Sequence, residues 1–247
     1  MNFNYFGLSD IGKQMPIMED YFDGFEIRDD LLCICLADGM GSAQGLDVAS
    51  LVAVSEFKKY MLTNSKTDNI LEVEDHVRKA IYMINRIIYS YQRIAPEKYN
   101  RFATTLTLMV INKRREIVTA NIGNSRFYLL RGDQLVKMTK DDTEAMKLLE
   151  KQEITEIEYA KHPDRNVLTK YLGQPEIEPF IFRGALLQED IILLMTNGVF
   201  EMIPDEKIKQ IIQNTETSKQ ACEWLINGAN EMGGFDNSAV VISYINF

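Results

Sequence analysis

Several acidic and amide side chains in this sequence stand where apolar runs stop, and that placement suits a metal centre. Residues 31–37 are apolar throughout and end at Asp38-Gly39-Met40-Gly41. Residues 191–195 repeat the design and end at Thr196-Asn197-Gly198. Asn121 and Asn124 follow a third strand-like run, Asp236-Asn237 precede a fourth at 239–242, and Glu19-Asp20 stand before the first strand pair. Oxygen donors delivered from several strand ends are what a hard divalent cation such as Mg²⁺ or Mn²⁺ requires. Taken singly, Asp38-Gly39 reads first as an ordinary Asp-Gly turn closing a strand. The repetition at several strand ends is what points to one acidic, metal-holding centre.

The rest of the chain must position those residues. Its 247 residues are 46% hydrophobic, enough for a sizeable core in one compact body covering 1–247. With 27 basic and 36 acidic residues the net charge is −9, which argues against a general nucleic-acid or anionic-membrane surface. The first residues, Met1-Asn2-Phe3-Asn4-Tyr5-Phe6, lack the charged-then-apolar pattern of a secretion signal. No run approaches the roughly 18 apolar residues of a membrane helix. Three cysteines, an odd number, fit a reducing compartment, so a cytoplasmic location is expected. Cys33 and Cys35, two apart on a strand, read as small core residues.

Strands are expected at 3–9, 22–28 and 31–37, with a well-buried helix from 42 to 63 and a clearly amphipathic one from 70 to 91. Short strands follow at 104–111, 116–121, 126–130 and 134–138. A polar excursion, 139–167, then carries short helices near 143–151 and at 155, where Thr155-Glu156-Ile157-Glu158 fits a capping box. Such an insertion between strands reads as a flap over a site. Strands at 179–182, 190–196 and 238–246 and helices at 205–213 and 217–232 complete the chain. Paired helices alternating with blocks of strands predict an α+β layered sandwich.

The ordered motifs resemble those of the metal-dependent protein phosphatase family, the protein phosphatase 2C type, in its short bacterial form. Asp10-Ile11-Gly12-Lys13 with Glu19-Asp20 opens the series, and Ala37-Asp38-Gly39-Met40-Gly41 with Gly45-Leu46-Asp47-Val48-Ala49-Ser50 follows. Ala103-Thr104-Thr105-Leu106, Gly123-Asn124-Ser125-Arg126 and Thr139-Lys140-Asp141-Asp142 come next, then Leu168-Thr169-Lys170-Tyr171-Leu172-Gly173, Thr196-Asn197-Gly198 and Asp236-Asn237. The resemblance implies a four-layer αββα sandwich, two antiparallel sheets flanked by helix pairs, with a two-metal centre of Mn²⁺ or Mg²⁺ at one end. It implies that Asp38 bridges the ions, that Glu19 and the Gly39 carbonyl hold one, and that Asp236 and Asn197 help hold the other. Asp20 is a further candidate. The reaction implied is attack of water on phosphoserine or phosphothreonine in a phosphorylated protein, opposing a bacterial serine/threonine kinase.

Four positions depart from the family pattern. Met15 stands where the family has a phosphate-gripping arginine, and Met18 where it has an asparagine. Asn197 replaces a ligating aspartate, and Asn124 replaces the aspartate that helps hold a third ion. A neutral amide attracts a cation less than a carboxylate does, so weakened catalysis is one expectation. A regulatory phosphoprotein-binding module without activity is the alternative. Lys13, Lys140 and Arg126 are candidates to replace the missing arginine. His162 could give a proton to the leaving oxygen or be a structural residue of the flap. His76 reads as solvated, Ser42 as a helix cap near Gln44 and Ser50, and Trp224 as core.

Overall fold

Two antiparallel sheets lie face to face in a computed structural model that describes residues 4–41 and 48–245. In chain order the elements are β1 (Tyr5–Asp10), β2 (Asp20–Arg28), β3 (Leu31–Met40), α1 (Ala49–Asn64), α2 (Ile70–Ile94), α3 (Pro96–Tyr99), β4 (Ala103–Thr104), β5 (Leu106–Asn112), β6 (Glu116–Ile122), β7 (Arg126–Arg131) and β8 (Gln134–Lys137). There follow α4 (Glu144–Glu150), α5 (Glu156–Tyr159), a 3-10 turn (Pro163–Asn166), β9 (Phe180–Ala185), β10 (Ile191–Met195), α6 (Asn197–Phe200), α7 (Asp205–Gln213), α8 (Ser218–Glu231) and β11 (Ser238–Tyr244). One sheet runs β1-β11-β10-β7-β8, the other β2-β3-β5-β6-β9, with β4 paired to the end of β3.

Three apolar layers hold this arrangement, and they explain why the central strands are apolar without alternation. On β3, Cys33, Cys35 and Ala37 face α1 and α2, while Leu32, Ile34 and Leu36 face the opposite sheet. On β10, Leu193 and Met195 face the helices on the far side, and Ile192 and Leu194 face the sheet interface. A strand covered on both faces has no solvent side on which to place polar residues. The outcome is the expected αββα sandwich.

Helix α1 begins at Ala49, and the expected cap Ser42, with Gln44 and the rest of 42–47, lies outside the described residues, as do Phe3 and residue 246. Its buried stripe is Ala49, Ser50, Ala53, Val54, Phe57 and Met61, with Leu51 and Leu62 facing outward. Helix α2 starts at Ile70 as expected and runs to Ile94, capped by the Asn69 side chain. Trp224 is a correction: it is 45% exposed, because α8 buries the stripe Ala221, Cys222, Leu225, Ile226 and Ala229. His76 is a second: it is half-buried with its ring 6.2 Å from that of Tyr60. The capping box at Thr155 is present in full, and Thr143 caps α4.

Phe57 is fully buried between α1 and the β2–β3 sheet. Phe57→Ala leaves a cavity there and lowers unfolding stability by about 3–5 kcal/mol, read from urea unfolding midpoints. A loss under about 1 kcal/mol would mean that layer is not close-packed.

Candidate metal centre

Asp38 sits at the end of β3, directly opposite Asp20 in the β2–β3 register. Its backbone is fixed by a pair of threonines. The Asp38 N–H donates to Thr105 Oγ1 at 2.9 Å, and its carbonyl accepts from Thr105 N–H and Thr104 Oγ1, each at 2.9 Å. Thr105 Oγ1 is in turn 2.8 Å from Ser125 Oγ. The strand end therefore cannot drift, and the carboxylate is aimed by backbone geometry.

Glu19 is held as tightly. Its N–H donates to Asn237 Oδ1 at 2.6 Å, and its carbonyl accepts from the Gly39 N–H at 3.0 Å and from the Ser50 hydroxyl. Asn237 also donates from Nδ2 to the Ile11 carbonyl at 2.8 Å, while its own N–H meets Asp236 Oδ1 at 2.8 Å. One buried asparagine thus ties Glu19, Ile11 and Asp236 together. On the neighbouring strand end, Thr196 Oγ1 donates to Asp20 Oδ2 at 2.7 Å, and Thr196 stands just before the turn from which Asn197 projects. Gly198 is obligatory here: a Cβ would stand 1.9 Å from the Asn237 carbonyl.

These residues converge on a cavity of about 640 Å³. Glu19, Asp38, Gly39, Asn124, Asn197 and Asp236 all line it. Asp20 lies behind Asp38, 5% exposed. Met15 is also on the wall, and so is Arg101, which the sequence reading did not single out. His162 is absent from the lining; its Nδ1 accepts the Asp164 N–H and starts the 3-10 turn, the structural alternative. Arg126 is committed to Asp141 at 2.6 Å with its guanidinium over Phe200, and Lys140 pairs with Glu150. Neither serves the cavity, and Lys13 does not line it.

The electrostatics are those of a site with too much negative charge. Burial, then Asp20, Asp236 and Glu19, raise the Asp38 carboxyl well above the usual range. Burial pushes Asp20 up to about 7, against the Thr196 hydrogen bond that favours its ionised form. Burial, with Glu19 and Glu201, also raises Asp236, while the Asn237 N–H and the Asn197 side chain oppose the shift. Asp20 Oδ1 and Asn197 Oδ1 are buried with no hydrogen-bond partner. Carboxylate and amide oxygens, mutually repelling and partly unpartnered, are the donor set a hard divalent cation satisfies. Among the described residues no three acidic, His or Cys side chains are gathered so that they could hold an ion as they stand. By donor chemistry the residues fit the cation.

Asn237 could have been found from its place beside Asp236, yet only the fold shows that it grips the Glu19 backbone. Asn124 is 3% exposed and sits between this cavity and one of about 400 Å³ beneath the 139–167 segment. Gly123, before it, is fastened by its N–H to Asp142 Oδ2 at 3.1 Å.

The sequence pattern described as "Protein phosphatase 2C" matches residues 7–226. The chain is 30% identical over 235 residues to the serine/threonine phosphatase stp of Listeria monocytogenes, covering 95% of this chain and 92% of that one. It is 30% identical over 240 residues to the protein phosphatase PhpP of Streptococcus pneumoniae, covering 97% and 96%. Among solved structures, the Streptococcus agalactiae serine/threonine phosphatase superposes with a TM-score of 0.92 at 26% identity, covering 99% and 100%. The catalytic domain of the serine/threonine protein phosphatase PstP, solved with two manganese ions, gives 0.83 at 27% identity, covering 99% of each.

Because Asp20 is raised from 3.8 to about 7 on folding, protonation favours the folded state. That advantage is full below about pH 4 and is lost as pH rises through about 7. Metal-free protein should therefore melt at progressively lower temperature from pH 5.5 to 7.5, and Asp20→Asn should flatten that slope. An unchanged slope in Asp20→Asn contradicts the assignment.

Proposed function

The chain belongs to the protein phosphatase 2C family, and we propose that it is a Mn²⁺- or Mg²⁺-dependent phosphatase acting on phosphoserine and phosphothreonine in proteins. The observation that carries this reading is that Glu19, Asp38 and Asp236, the family's acidic positions, line one cavity. Relatives named as serine/threonine phosphatases over nearly their whole length support it.

Bound divalent ions supply Lewis acidity, lowering the pKa of water and offsetting charge on the phosphoryl group. The chain's residues do the rest. Asp38, with Glu19 and the Gly39 carbonyl, would hold one side of the centre, and Asp236 with Asn197 Oδ1 would hold the other. Asn237 sets the spacing between the two sides through its bonds to Glu19 and Asp236. Among the described residues no cysteine, serine, threonine, histidine or lysine lines the cavity. In this reading the carboxylates are committed to the cations and water is the nucleophile, so hydrolysis needs no phosphorylated enzyme. Asn197, being neutral, would bind its ion more weakly than an aspartate, and Asn124 would leave the family's third site without a charged donor. We read residues 139–167 as a flap, supported by Asn166 at its end on the cavity wall, within one catalytic unit spanning 1–247. The substrate is the product of a protein kinase. Three buried, unpaired cysteines and the lack of any described helix long and apolar enough to cross a membrane support a cytoplasmic setting.

The test is phosphate release from a phosphothreonine peptide with Mn²⁺, Mg²⁺ or chelator. Release should require the cation and fall at least about hundredfold in Asp38→Ala, while Asn197→Asp should lower the Mn²⁺ concentration needed. Peptide binding without release under any cation or pH would instead favour the regulatory module.

A further inference from the structure

We propose that Arg101 is the phosphate-binding cation of this cavity, supplying from the α3–β4 turn the charge that position 15 lacks; this rests on the phosphatase reading above. Arg101 is the one basic residue among the described residues that line the cavity, and Met15 stands on the same wall. The other basic residues nearby are engaged: Arg126 with Asp141, Lys140 with Glu150, Lys170 with Asp142 at 3.2 Å and Arg165 with Glu201 at 3.0 Å. Arg101 is exposed and makes no hydrogen bond or ion pair within the described residues. An exposed guanidinium with no partner among the described residues, on the wall of a strongly acidic cavity, is free to take an anionic ligand.

The backbone that carries it is rigid. Gly41, at φ +80°, turns the chain just beyond β3 so closely that a Cβ would stand 2.1 Å from the Arg101 carbonyl. Beyond the turn, Met40 pairs with Ala103 and Gly39 with Thr104, which seats position 101 against the Asp38 strand end. On its other side, Tyr99 and Phe102 pack on Tyr91 with ring centroids 5.1–5.3 Å apart, and Gln92 Nε2 donates to the Phe102 carbonyl at 2.9 Å. The ligand in question is a phosphate dianion, and Arg101 is the positive charge that this wall of the cavity offers it. A guanidinium fork offers that dianion two parallel N–H donors.

The experiment is calorimetric titration of the Mn²⁺-loaded chain with inorganic phosphate, beside KM and kcat for p-nitrophenyl phosphate. Arg101→Ala should weaken phosphate binding about tenfold or more and raise KM in step, with an unchanged melting temperature. Arg101→Lys should recover only part of the affinity, and Met15→Arg placed on Arg101→Ala should restore it. Phosphate affinity within twofold of the parent in Arg101→Ala overturns the proposal, as does a parent that binds no phosphate. So does a loss accompanied by a lowered melting temperature that Met15→Arg does not repair. A parent that binds phosphate through Arg101 yet releases none from peptides would sustain this inference while ending the phosphatase reading.

Discussion

Mutual repulsion among Glu19, Asp20, Asp38 and Asp236 is the constraint on which the centre depends. Each of the buried carboxyls Asp20 and Asp38 is raised first by loss of water and then by its acidic neighbours. Such a cluster costs stability unless protons or cations offset it. The chain fixes these acidic residues in place with neutral hydrogen-bonding side chains. Thr104 and Thr105 hold Asp38, Asn237 holds Glu19, and Thr196 holds Asp20. Strain is thereby concentrated where a bound divalent cation would relieve it.

The sandwich is what makes this possible. Strands β3, β10 and β11 are sealed on both faces by apolar layers, so their ends are fixed to within the tolerance of close packing. Asp38 comes from one sheet, while Asn197 and Asp236 flank strands of the other, and the cavity opens where the two sheets meet. The sheets therefore set the separation of the two halves of the centre, and Asn237 fastens them locally.

Much of this was legible in the sequence because of that double burial. An unbroken apolar run at 31–37 fits a strand covered on both sides, and the recurrence of polar residues at several such strand ends is what marked Asp38 as more than a turn residue. Periodicity likewise delivered α2, whose stripe is wide and regular. It failed at Trp224, since the small residues Ala221, Cys222 and Ala229 carry the buried face of α8 and a large ring was left outside. The start of α6 at Asn197 was not anticipated, because the apolar run and Asn-Gly together read as a strand ending in a turn. Arg101, and the role though not the place of Asn237, stayed hidden for a different reason. Neither lies on a periodic face, and their roles arise from contacts across the chain, Gly41 with Arg101 and Glu19 with Asn237, that local pattern does not encode.

The central claim is that these strand ends form one cation-binding centre, and the most direct measurement is anomalous diffraction at the manganese edge from crystals grown with Mn²⁺. The account predicts manganese peaks inside the cavity, bounded by Glu19, Asp38 and Asp236, with the site beside Asn197 the less occupied. A cavity without manganese, in crystals that bind it elsewhere or not at all, would contradict it.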